Sequence, residues 1–240
     1  EIGTIQPVEQ IGKIAREAGV LFHTDAVQAY TQIPIDVQAM NIDLMSTSGH
    51  KINGPKGIGF LYIREGVKIH SFIHGGAQER KRRAGTENVP GIIGMAKAAQ
   101  MAADDMEERT ARECKLRDYM IERILKEIPY TRLNGDAVKR LPGNANFSFQ
   151  FVEGESLLIM LDMDGICASG GSACASGSLD PSHVLLALGL PDDIAGGSLR
   201  LTLGAQTTRE DIDYAIERIK ANVGRIRSMS PEYECFTSHR

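Results

Sequence analysis

Ser46-Thr47-Ser48-Gly49-His50-Lys51-Ile52-Asn53-Gly54-Pro55-Lys56-Gly57-Ile58-Gly59 is the stretch on which the reading of this chain turns. A short apolar run, Ile42-Asp43-Leu44-Met45, precedes it, and another, Ile58-Gly59-Phe60-Leu61-Tyr62-Ile63, overlaps its end. Runs of this length bounded by glycine and polar residues read as strands, so Lys51 lies in a tight connection between two of them and is held in place. Its neighbours are small or carry hydrogen-bonding groups. Ser48 and His50 can reach an anion, while Gly49, Gly54, Gly57 and Gly59 let backbone come close to a ligand.

A held lysine with anion ligands beside it suits the joining of an amine to a carbonyl compound. Pyridoxal phosphate makes both demands, an aldehyde for the lysine and a phosphate needing hydroxyl, imidazole and backbone partners. Taken alone, the string reads equally well as a glycine-rich strand turn with a surface lysine, because short motifs match by chance.

Composition narrows the class. The chain has 240 residues, 42% of them hydrophobic, and a formal net charge of -4, enough for one large or two modest domains with real cores. That mild acidity argues against a nucleic-acid partner, and the basic run Arg80-Lys81-Arg82-Arg83 is too short and isolated to reverse it. No apolar run is long enough to span a bilayer and no signal peptide is visible, so the expectation is a cytoplasmic protein. The four cysteines, Cys114, Cys167, Cys174 and Cys235, form no C-x-x-C pair, which indicates neither a zinc site nor a disulfide framework. The chain opens at Glu1 instead of Met and enters structure at once, which reads as a fragment.

Outward from Lys51 the pattern alternates. Residues 7–18 read as a helix with Pro7 at its start, Ile11, Ile14, Ala15 and Ala18 on one face and Gly19 as its stop. Residues 20–23 then read as a buried strand ending in Thr24-Asp25-Ala26-Val27-Gln28. In α/β sheets ligands gather at such carboxyl ends, so Asp25 and Gln28 could meet a cofactor's ring nitrogen and phenolic oxygen. Asp25 as a plain helix N-cap is the competing reading. A short helix at 36–40 and the strand before Ser46 complete a β-α-β succession and predict a mostly parallel sheet.

Residues 91–128 are helical in pattern, too long for one globular helix without a kink, and form the passage between two domains. Met95, Met101 and Met106 there read as packing residues. The second half alternates again: a strand at 144–151 with Phe147, Phe149 and Phe151, a helix at 155–163, a short strand at 166–168, a short helix at 181–188 and a strand at 198–203 carrying Arg200. A capping box at Thr208 and Asp211 opens a final amphipathic helix. The division is therefore 1–105 and 106–240, the second a smaller α+β domain.

Cys174 sits among Gly, Ser and Ala from 169 to 178, a segment free to move, which suits a nucleophile travelling between a buried site and an outside acceptor. An incidental exposed thiol is the competing reading. Cys167 on its strand and Cys114 in its helix read as packing, and Cys235 falls in a polar tail.

Together these residues resemble the cysteine desulfurase family, of the NifS and IscS type within the class V aminotransferase group. The motifs stand in order as His23-Thr24-Asp25-Ala26-Val27-Gln28, Ser48-Gly49-His50-Lys51 through Gly57, Arg82-Arg83-Ala84-Gly85-Thr86-Glu87-Asn88, and Gly171-Ser172-Ala173-Cys174 through Ser182-His183. The resemblance implies an α/β protein of the pyridoxal phosphate-dependent transferase type (fold type I). Residues 1–105 would be the C-terminal portion of the cofactor-binding large domain, with an incomplete, mostly parallel sheet. Residues 106–240 would be the small C-terminal domain with the mobile cysteine loop.

It also implies that Lys51 carries pyridoxal phosphate as a Schiff base and that Asp25 pairs with the pyridinium nitrogen. Gln28 would bond the phenolic oxygen, and Ser48 and His50 would hold the phosphate with Thr86 of the other subunit of a homodimer. Arg200 would clamp the carboxylate of L-cysteine and Cys174 would take the sulfur as a persulfide, leaving L-alanine. The sulfur would pass to an iron–sulfur scaffold or other acceptor protein. No metal site is implied beyond a transient cluster contact at Cys174.

Family members carry further residues ahead of Glu1, among them an Asn for substrate, a His stacking on the ring and a phosphate-binding Thr. The chain alone is thus expected to bind the cofactor weakly or not at all, which could leave it inactive, with apolar surface at the sheet edge. Selenocysteine lyase or another class V lyase shares the Lys51 and Asp25 machinery, and a fragment acting only as a dimerisation or docking module is the reading outside enzymes.

Overall fold

The computed structural model describes residues 1–171 and 181–239. The chain divides into two compact units, one of residues Gln6–Glu108 and one of Glu1–Ile5 with the chain from Arg109 onward.

The first unit is built on a three-stranded sheet in the order β1-β2-β3. Helix α1 (Val8–Glu17) buries Gly12 and Ala15, not its isoleucines; Ile14 stays exposed. A Cβ at Gly12 would stand 2.0 Å from the Met40 carbonyl oxygen, so the helix meets the turn before β2 backbone to backbone. Strand β1 is His23–Asp25, parallel to β2 (Leu44–Ser46), with Asp25 opposite Ser46. The expected buried strand at 20–23 is displaced: the ladder begins at His23, and Val20 and Leu21 are exposed. A strand needs a neighbour, and among the described residues β2 offers one only from Leu44 on.

The helix expected at 36–40 is a single turn. Asp36 accepts from the backbone N–H groups of Gln38 and Ala39, and Asn41 at φ 53° ends it before a second turn can form. Strand β3 (Leu61–Ile63) runs antiparallel to β2, so the sheet has one parallel and one antiparallel pair. The core here is small: Ala26, Ile42 and Met45, with Val8, Phe22, Ile35 and Tyr62 packed around them.

Helix α2 (Gln78–Lys81) is a tight turn with Glu79, Arg80 and Lys81 at positive φ, which exposes the basic run. Helix α3 (Val89–Asp104) starts where Asn88 accepts from Gly91 N–H and Pro90 sits in the first turn. The long helical stretch breaks at Asp105, and α4 (Met106–Glu127) follows.

The second unit is a three-stranded sheet, β4 (Thr131–Leu133), β5 (Asn144–Phe149) and β6 (Ser198–Thr202), antiparallel throughout. Alternation along β5 decides its packing. Ala145, Phe147 and Phe149 face a core shared with α4, α5 (Gly154–Met163) and α8 (Arg209–Ser228), among them Met120, Ile124, Leu157, Leu161, Ile216 and Ile219. Asn146 and Ser148 face the other way and are also buried. Asn134 Nδ2 donates to Asn146 Oδ1 and Ser148 Oγ, at 2.8 Å each.

That polar face is covered by the first residues of the chain. Asn144 and Asn146 donate to the Glu1 carbonyl, Arg140 donates to the Ile2 carbonyl at 2.9 Å, and Leu141 N–H donates to the Gly3 carbonyl at 2.7 Å. Residues 1–5 thus belong with the second unit, although in sequence they precede the first. Short helices α6 (His183–Ala187) and α7 (Asp192–Gly196) bury Leu185, Leu190 and Ala195 against Ile2.

Several expectations fail here. Residues 166–168 form no strand; a single bridge joins Ser169 to Arg200, and Cys167 is exposed. The strand expected to reach Phe151 stops at Phe149, because Phe151 turns at φ 62° into an aromatic cluster with Tyr130, Tyr233 and Phe236. Tyr233, Cys235 and Phe236 lie on a further helix, α9 (Pro231–Ser238), where a polar tail was expected. The capping box at Thr208 and Asp211 is present as read, opening α8.

Candidate active site

Lys51 sits on a 3-10 turn, Gly49–Ile52, that leaves the carboxyl end of β2. Thr47 first bonds the Phe60 backbone in both directions, closing the loop against the start of β3. The glycines of this loop pack against the chain itself. A Cβ at Gly59 would stand 2.4 Å from the Thr47 carbonyl, and one at Gly49 would stand 2.9 Å from Ile58 Cγ2. Ile52 is buried beneath the turn while His50 and Lys51 face outward. Helix α3 backs it: a Cβ at Gly94 would be 2.5 Å from Pro55 Cγ, and the Ala98 methyl lies near Gly54.

The polar groups around Lys51 are paired in a regular way. Ser48 Oγ and His50 Nδ1 are 2.7 Å apart. On the neighbouring strand Asp25 is the last residue, and its Oδ1 accepts from Val27 N–H at 2.9 Å. This is a turn that fixes the carboxylate at the strand end; no helix follows it, so Asp25 is not a helix N-cap. Gln28 is exposed in that turn. The sheet therefore brings Asp25, Ser48, His50 and Lys51 to the carboxyl ends of two adjacent parallel strands. Thr86 is exposed in the irregular stretch before α3.

Two polar groups in this region escaped the sequence reading. His23 Nε2 lies 2.8 Å from Ser46 Oγ, bridging β1 to β2. The signal was the two-residue spacing of His23 and Asp25 on one strand face, but it needed the register of β2 to be legible. By contrast Asp43, also at a strand edge, is spent on structure: it bonds Phe22 N–H and pairs with Arg64 Nε at 3.0 Å.

In the second unit Arg200 occupies the middle of β6, half-buried, and its Nε is buried without a hydrogen-bond partner among the described residues. Its backbone exchanges hydrogen bonds with Ser169. Cys174, with the rest of 172–180, lies outside the described residues. The chain on either side of that segment is well tied. Ser198 Oγ donates to the Gly170 carbonyl at 2.6 Å, and Ser182 both caps α6 through Val184 N–H and bonds the Glu1 carboxylate. Among the described residues no group of three or more His, Cys, Asp or Glu side chains could hold a metal ion, and no helix is long and apolar enough to cross a membrane.

A lysine-bearing turn after a parallel strand pair, followed by an antiparallel sheet with helices on one face, places the chain among the α/β proteins of fold type I. The chain belongs to the class V aminotransferase family, which it matches over residues 1–215 and whose members depend on pyridoxal phosphate. It is 58% identical over 231 residues to a protein of Methanosarcina thermophila named cysteine desulfurase IscS, covering 96% of this chain and 57% of that one. A NifS-like protein from Rickettsia africae superposes with a TM-score of 0.86 at 32% identity, over 93% of this chain and 59% of the other. A protein described as SspA in complex with cysteine gives 0.68 at 35% identity, over 86% and 56%. The chain spans about 60% of the length of the curated relatives it matches.

Proposed function

We propose that the protein is a pyridoxal phosphate-dependent cysteine desulfurase, converting L-cysteine to L-alanine and taking the sulfur onto Cys174 as a persulfide for iron–sulfur cluster assembly. One observation carries this reading: Lys51, the Ser48–His50 pair and Asp25 stand at the carboxyl ends of two adjacent parallel strands in a chain 58% identical to a named cysteine desulfurase.

The donor set fits the cofactor. An amine for the aldehyde, a hydroxyl and an imidazole for the phosphate, and a turn-fixed carboxylate for the ring nitrogen are the chemical partners that pyridoxal phosphate needs. Lys51 Nζ would be the attachment point for the cofactor's aldehyde, and as a free amine it would be the base that moves the substrate's α-proton. Asp25 would hold the proton at the ring nitrogen, and Gln28 would bond the phenolic oxygen. When bound, the cofactor supplies the electron sink for breaking the carbon–sulfur bond.

Arg200 clamps the substrate carboxylate; its unpartnered Nε and planar fork suit that anion. The Cys174 thiolate attacks the substrate sulfur, so that a sulfur–sulfur bond forms as the carbon–sulfur bond breaks. The electron pair passes to the carbon fragment, which takes up protons and leaves as alanine. The enzyme works as a homodimer in which Thr86 of each subunit adds a donor to the other's phosphate site; its exposure supports this. It acts in the cytoplasm, where thiols stay reduced, which agrees with the free state of Cys114, Cys167 and Cys235.

The test is to supply pyridoxal phosphate, L-cysteine and the segment that family members carry ahead of Glu1, quantify alanine, and map added sulfur by peptide mass spectrometry. Alanine should form with one sulfur added on the Cys174 peptide, and Lys51→Ala should abolish both. Alanine production that survives Lys51→Ala would overturn the assignment, as would sulfur found on Cys167 or Cys235.

A further inference from the structure

The pairing of His23 with Ser46 has no place in the roles assigned above. Strands β1 and β2 are three residues each, a short parallel ladder. Beyond the ladder, Ala26 N–H donates to the Ser46 carbonyl at 3.0 Å, and His23 Nε2 meets Ser46 Oγ at 2.8 Å. Side chains alternate along strands, and register partners in a sheet share a face. His23 and Asp25 therefore project to the same face as Ser46, the partner of Asp25. Ser48 stays on that face because its backbone is still extended, at φ -140° and ψ 131°, while Thr47 turns inward to Phe60. One face thus carries His23 bonded to Ser46, then Ser48 bonded to His50, with Asp25 alongside.

We propose that His23 is a positioning residue for cofactor binding, acting through Ser46 to fix the end of β1, which carries Asp25, against the end of β2, which carries Ser48, His50 and Lys51. This rests on the reading above. A rigid ring that must meet Asp25 at one end and the Ser48–His50 pair at the other tolerates little error in the spacing of the two strand ends. The ladder is too short to set that spacing by itself. The side-chain bridge sets it, and the Asp25 turn, tied through Val27 N–H, follows.

The probe is pyridoxal phosphate added to the chain and fixed onto lysines by borohydride reduction, with labelling at Lys51 and Lys56 compared by peptide mass spectrometry. His23→Ala and Ser46→Ala should each lower the Lys51 to Lys56 ratio about three- to tenfold, the worth of one hydrogen bond. The double variant should go no lower, because both remove the same bridge. His23→Gln, whose amide reaches to about the position of Nε2, should restore the unsubstituted ratio. Thermal unfolding should be alike in all four variants, since His23 is exposed. Unchanged single variants, an additive double variant, or failure of glutamine to rescue would each overturn the proposal. Absence of any preference for Lys51 in the unsubstituted chain would instead overturn the functional reading, and this inference with it.

Discussion

Ser169 and Arg200 exchange both of their backbone hydrogen bonds, Arg200 N–H to the Ser169 carbonyl at 2.5 Å and Ser169 N–H to the Arg200 carbonyl at 3.2 Å. The stretch leading to the Cys174 segment is thereby tied to the strand residue whose guanidinium Nε has no partner among the described residues. The residue proposed as substrate clamp and the stretch that leads to the proposed sulfur carrier are thus joined by one backbone bridge.

Arg200→Lys keeps the charge at this position and loses the planar fork. In the proposed enzyme it should lower kcat/KM for L-cysteine about ten- to a hundredfold, the worth of one charge-assisted hydrogen bond. The loss should fall on KM. Bound pyridoxal phosphate, read by absorbance after gel filtration, should be unchanged, because the proposed cofactor partners lie within residues 25–86. A variant with unaltered KM would remove Arg200 from substrate binding.

Cys174→Ser should retain the cofactor and still bind cysteine, while alanine formation ceases. A hydroxyl is a poor nucleophile toward sulfur and the sequence places no base beside it. Spectral change on adding cysteine, together with absence of alanine, is the expected pair of observations. Alanine at the unsubstituted rate would mean that another group receives the sulfur.

Much of the site region was legible because its chemistry is local. The turn at Lys51 is announced by glycines and short apolar flanks, the α8 start by Thr208 and Asp211, and the break at Asp105 by a helical stretch too long to be one helix. What escaped depends on partners distant in sequence. The start of β1 is set by where β2 offers a neighbour, and the direction of β3 by a loop that folds back through Thr47 and Phe60. Phe151 keeps the strand's alternation in sequence but leaves the strand for Tyr233 and Phe236, residues on a helix that polar composition had hidden. The His23–Ser46 bridge could not be seen without the register of the two strands.

Gly59 and Gly224 differ in whether they can take a side chain. Gly59→Ala would place a methyl 2.4 Å from the Thr47 carbonyl, backbone that cannot yield cheaply, and should cost about 1–3 kcal/mol while disturbing the Lys51 turn. Gly224, inside α8, has nothing within 4 Å of its Cβ position. Gly224→Ala should therefore stabilise by about 0.5–1 kcal/mol through helix propensity. Denaturant unfolding of the two variants measures both, and a stabilising Gly59→Ala would contradict the close approach.

Arg123 joins α4 to α8 through a cluster of carboxylates, bonding Glu127, Asp213 at 2.7 Å and Glu217 at 3.2 Å. Its hydrogen bond holds Glu127 down from 4.5 to about 2, helped by Lys220. Asp164 is likewise lowered, by Arg218 and then Asn222. A carboxylate whose folded value is depressed stabilises the fold above its ordinary range and loses that contribution as pH falls toward the folded value. The melting temperature should therefore decline between pH 4.5 and about 2, the interval over which Glu127 protonates in the unfolded chain before the folded one. Arg123→Met should make that decline shallower while leaving the Asp164 contribution in place. Because the cluster is partly exposed, added salt should reduce the difference between the two proteins. Melting curves by circular dichroism across this range decide it: an acid limb equally steep in both proteins would show that the cluster does not couple α4 to α8.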